Sequence, residues 1–130
     1  MNFEDEKDYV MRMIKEASRV LFSLLFGKQY TSVELEAENE FEVSGMRLDE
    51  VFAMIDRGNI NEAENIVLDG IHYDNKNELA AAALFYQYLS EKKEAFLQEN
   101  NYSMDEVLDG MEHIVQESGY GEMIDVLTKF

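Results

Sequence analysis

From Glu4 to Phe26 the chain carries its longest periodic apolar pattern, and this stretch limits what the rest can be. Val10, Ile14, Ala17, Leu21 and Leu24 recur at alternating intervals of four and three, the seam of an α-helix packed against other helices. Met13, Val20 and Leu25 widen that seam. Over residues 20–26 (VLFSLLF) the segment is apolar on nearly all sides. Its C-terminal half must be enclosed by its own chain or by a partner.

The remaining sequence supplies matching helical faces. No proline occurs in the 130 residues, so the residue that most reliably breaks a helix is absent. Gly27 is placed as the C-terminal cap of the first helix, and Lys28 suits the negative end of its dipole. Residues 33–43 (VELEAENEFEV) alternate apolar with acidic side chains, which alone reads as a half-buried strand. Thr31 and Glu34 form a capping box, Tyr30 and Leu35 a hydrophobic staple, and Tyr30, Val33, Ala37 and Phe41 one helical face. These select helix.

Ser44 and Gly45 end that element. Leu48, Val51, Phe52 and Ile55 then outline a short amphipathic helix closing at Gly58. Asn61 and Glu64 predict the start of another, with Ala63, Ile66, Val67 and Gly70 toward the core. Asn75 and Glu78 begin a second long helix, whose stripe is Leu79, Ala82, Ala83, Tyr86 and Leu89, with Phe85, Tyr88 and Phe96 around it, ending at Asn100 and Asn101. The alanines at 80–83 permit close helix approach. Ser103 with Glu106, stapled by Tyr102 and Val107, starts a helix running through Met111, Ile114 and Val115 to Gly119. Met123, Ile124 and Leu127 predict a short terminal helix closing the core.

The expected fold is therefore all-α and a single domain: about six helices as three antiparallel hairpins, near 4–43, 46–71 and 76–118, plus a helix at 120–129. Residues 58–70 (GNINEAENIVLDG) resemble the turn and second helix of a tetratricopeptide repeat, with Gly58, Ile60, Ala63 and Val67 on its small and apolar positions. The resemblance implies a right-handed tetratricopeptide-like stack. The aromatic expected earlier in such a repeat and the proline after it are missing. Through EKDYVMRMIKE at 6–16, LFSLLFGKQY at 21–30 and FYQYLSEK at 85–92, the chain is also similar to a family of small, uncharacterised bacterial helical proteins. That similarity implies a fold and transfers no site.

Charge narrows the partners. The 28 Asp and Glu against 11 Lys and Arg leave a net charge of −17, a field that repels phosphate backbones and excludes direct nucleic-acid binding. A solvated acidic surface is the plain reading, and a basic protein or peptide is the partner class that this sign selects. With no cysteine, disulfides, thiolate chemistry and cysteine-built zinc sites are excluded. The opening MNFEDEKD is acidic where a secretory signal is basic, and the run at 20–26 is far short of the roughly 20 residues that span a bilayer. A cytoplasmic protein without membrane insertion is expected.

Chemistry-bearing motifs are sparse. Asp109 and His113 lie four apart on one helical face, yet a carboxylate-bridged two-metal bundle needs Glu-x-x-His on two helices. The residue three before His113 is Gly110, and three before His72 is Asp69. The loop at 69–78 (DGIHYDNKNE) has the composition of a calcium site, but Lys76 stands at the third position counted from Asp74, so it reads as a connector. No phosphate loop or nucleophile elbow occurs. No catalytic residue, cofactor or metal is assigned.

Three functions are weighed on these grounds. The first is a noncatalytic helical-repeat interaction module with an acidic surface, for which Tyr86 and Tyr88, unable to share a helical face, offer one contact residue. The second is a structural homo-oligomer, a homodimer at its simplest, assembled through Phe22, Leu25 and Phe26. The distant third is a metal-dependent enzyme using acids near His113.

Overall fold

The computed structural model describes residues 3–30 and 41–128, with the backbone alone for 3–6 and 125–128. Helix α1 spans Phe3–Phe26. A short hairpin follows, β1 (Glu42–Val43) and β2 (Met46–Arg47), then α2 (Leu48–Asp56), α3 (Ile60–Gly70), α4 (Lys76–Ser90), α5 (Glu94–Glu99), α6 (Met104–Glu117) and α7 (Gly121–Thr128). Apart from that hairpin, the regular elements among the described residues are all α-helical. No helix among the described residues is long and apolar enough to cross a membrane.

Helix α4 is the centre of the core. Every residue from Leu79 to Gln87 is buried, because α4 is covered by α1, α6, α2 and β1 around its circumference. Its unbroken apolar run, LAAAALFY at 79–86, is the signature of a helix enclosed on all sides. The alanines keep the neighbouring backbones close. Phe85 and Tyr86 meet edge to face at 5.0 Å, and burying side chains of this size contributes about 1.5–3 kcal/mol each. Helix α1 packs on α4 first, then on α6 and α7.

The apolar surplus at the end of α1 is covered by the chain itself. Phe22 makes edge contacts with Phe26 at 5.6 Å, Tyr30 at 5.7 Å and Phe41 at 5.9 Å. Gly27 caps the helix with φ +67 and donates its N–H to Ser23 O. The turn then folds back: Tyr30 O accepts from Arg19 at 3.0 Å and its N–H reaches Ser23 Oγ. Phe22 and Leu25 are thereby buried and Phe26 is half-buried.

Several boundaries differ from the sequence reading. The helix expected over 33–43 lies mostly outside the described residues, as do Thr31, Val33, Glu34, Leu35 and Ala37. Its described end, Glu42–Val43, is strand, paired antiparallel with Met46–Arg47. Ser44 and Gly45 form the two-residue turn with φ +56 and +80, the doubly positive geometry that suits a tight hairpin. The alternating pattern at 41–43 is thus a strand pattern. Ser44 Oγ donates to Val67 O at 2.6 Å, satisfying a carbonyl in the last turn of α3 that the helix leaves open.

Helix α3 begins one residue before Asn61, whose amide instead reaches Asn101 O at 3.1 Å across the fold. The second long helix divides at residues 91–93 into α4 and α5. Lys92 is drawn onto Asp56 at 2.6 Å and lies over the rings of Tyr88 and Phe96, while Leu97 turns back into the core. Tertiary packing overrides a helix-favouring sequence here. In α7, Ile124 is buried but Met123, expected on the same face, is 51% exposed.

Ser18, fully buried on α1, has no hydrogen-bond partner for its hydroxyl among the described residues. An unmade buried hydrogen bond carries a penalty of about 1–3 kcal/mol, part of which returns when the hydroxyl is removed. Ser18→Ala is therefore expected to match or exceed the parent in stability, by up to about 1 kcal/mol. Urea denaturation followed by circular dichroism measures this, and a loss above ~1 kcal/mol overturns it.

Candidate functional site

Acidic and aromatic side chains and a histidine meet at an open depression of about 280 Å³ between α3 and α6, lined by Glu64, Leu68, Tyr86, Glu106, Asp109, Gly110 and His113. Helical spacing builds it. On α6, residues 106, 109, 110 and 113 follow the i, i+3, i+4, i+7 rule and share one face, while Val107, Met111 and Ile114 turn into the core. On α3, Glu64 and Leu68 are one turn apart, beside the buried Ala63 and Val67.

Its floor is Tyr86. A Cβ at Gly110 would overlap Cε1 and Cζ of that ring, so glycine lets the α6 backbone lie directly on the aromatic side chain. The Tyr86 hydroxyl donates to Glu64 Oε2 at 2.7 Å, and the Tyr102 hydroxyl donates to the same oxygen at 2.8 Å. One carboxylate at the rim thus serves two buried phenols and ties α3 to α4 and to the start of α6. Tyr102 enters as the staple residue before Ser103, whose Oγ accepts the Glu106 N–H at 3.2 Å.

Both phenols are pushed above their ordinary range, first by burial and then by the Glu64 carboxylate. The sign of the consequence follows. Unfolded tyrosines ionise near pH 10 while these two stay protonated in the fold, so above pH 10 the unfolded state binds fewer protons. Their stabilisation is complete below about pH 10 and declines as pH rises. With both groups in that regime the loss is about 2.7 kcal/mol per pH unit. Phenolate absorbance is expected to show a late, cooperative step that coincides with loss of helical circular dichroism. An early ionisation of every tyrosine in a chain that keeps its helicity overturns this.

His113 closes one end of the depression, its Nε2 3.0 Å from Tyr73 Oη with the rings edge to face. Asp109 shares the depression with His113, as their spacing on α6 predicts. Among the described residues, however, no three of His, Asp and Glu are grouped to hold a metal ion. His72 lies elsewhere, its Nδ1 2.9 Å from Glu78 Oε2, beside a second hollow of about 410 Å³ under the hairpin tip.

The residues expected to meet a partner are separated by the fold. Phe22, Leu25 and Tyr86 are buried in the chain's own core. The end of α1 is capped by Tyr30 and Phe41, and Tyr86 lies under Gly110. Phe26 is half-buried in the same aromatic cluster. Tyr88 is half-buried too, stacked on Phe52 at 4.0 Å and donating to Asp56 Oδ1 at 2.6 Å. Tyr86 alone reaches the depression, as its floor. The sequence reading missed Glu64 and Glu106 as members of a shared surface, since both read as local capping residues.

No curated protein and no solved structure matches the chain. Residues 4–119, nearly the full length, match DUF6483, a family of unknown function. The chain belongs to that family.

Proposed function

We propose that this protein is a noncatalytic helical interaction module that receives a basic protein segment in the depression between α3 and α6. The observation carrying this reading is the convergence of Glu64, Glu106 and Asp109 on one open surface with no lysine or arginine among its lining residues. The net charge of −17 acts in the same direction, accelerating encounter with a cationic partner and repelling anionic ones. Leu68, half-buried in the lining, suits the methylene stem of a lysine or arginine. In the same reading the chain is a tetratricopeptide-like hairpin protein of the bacterial cytoplasm. Its support is the similarity of residues 6–16, 21–30 and 85–92 to small bacterial helical proteins, and the packing of α2 on α3 across the short turn at 57–59.

Calorimetric titration with a lysine- and arginine-rich peptide, and with an aspartate-rich control, tests the proposal. Binding is expected for the basic peptide alone and weakens with added salt. Exposed ion pairs contribute about 0.2–1 kcal/mol each, so Glu106→Gln with Asp109→Asn is expected to lower affinity roughly 2- to 30-fold. Equal affinity in that double variant removes the depression as the site. Absence of binding at low salt removes the reading itself.

A further inference from the structure

We draw no further inference here: the strongest candidate, the acidic depression between α3 and α6 rimmed by Glu64, Glu106 and Asp109, belongs to the site already described, and nothing in the structure shows what narrower ligand would cover it.

Discussion

Gly110→Ala is expected to destabilise the fold by about 3 kcal/mol, although alanine is the better helix former. In an ordinary exposed helix the change would gain about 1 kcal/mol. Here the added Cβ overlaps Cε1 and Cζ of Tyr86 and approaches Cδ1 to 2.8 Å. Tyr86 is fully buried and its ring is rigid, so the helix axis or the ring must move. Overpacking of this kind costs about 1–3 kcal/mol, and a displaced ring also weakens its hydrogen bond to a charged acceptor, which contributes about 1.5–3 kcal/mol. For a chain of this length the melting temperature should fall by roughly 10–15 °C. Asp109→Ala, one residue away on the exposed side of α6, is the control and should stay within about 0.5 kcal/mol of the parent. If Gly110→Ala melts as high as that control, the close approach of α6 to Tyr86 is wrong.

The same glycine marks the limit of what periodicity reveals. The apolar positions of α6 are readable because Val107, Met111 and Ile114 keep helical spacing, and Ser103 announces the helix start through a hydrogen bond made within four residues. Asn75 does likewise for α4, its Oδ1 accepting from the N–H groups of Asn77 and Glu78. Nothing local distinguishes Gly110 from a solvent-facing weak point in the helix. Its purpose depends on a ring 24 positions earlier in the chain.

Asn61 and Glu64 show why the site was harder to read than the fold. Their spacing is that of a helix cap, but a side-chain amide or carboxylate can be spent locally or across the molecule, and spacing does not decide which. Asn61 reaches Asn101 and Glu64 reaches Tyr86 and Tyr102. The division of α4 from α5 has the same origin, since the Lys92 to Asp56 contact joins residues separated by 36 positions. Conversely, the burial of α4 over residues 79–87 is legible in the apolar run at 79–86. A one-sided stripe through Leu79, Ala82, Ala83, Tyr86 and Leu89 understates it, because the intervening Ala80, Ala81, Leu84 and Phe85 are buried as well.

Glu64→Ala is expected to cost about 2–5 kcal/mol, a large effect for removing a partly exposed acid. The cost arises on the partners. Tyr86 and Tyr102, 0% and 3% exposed, would each keep a buried hydroxyl with its acceptor gone, at about 1–3 kcal/mol apiece. Glu64→Gln retains an oxygen acceptor and loses only the advantage of charge, so its expected cost is smaller, roughly 1–2 kcal/mol. The decisive comparison places Tyr86→Phe and Tyr102→Phe in the Glu64→Ala background. Removing the orphaned hydroxyls there should recover most of the lost stability, whereas in the parent the same two changes should destabilise. Guanidinium denaturation of the full set yields the coupling energy. Additive effects, with Glu64→Ala no more harmful than an ordinary surface substitution, would show that the two phenols do not depend on this carboxylate. A strong coupling would make Glu64 a structural tie as well as a rim charge. For that reason Glu106 and Asp109, which carry charge at the rim and lie on the exposed face of α6, are the positions at which binding can be weakened without loosening the core.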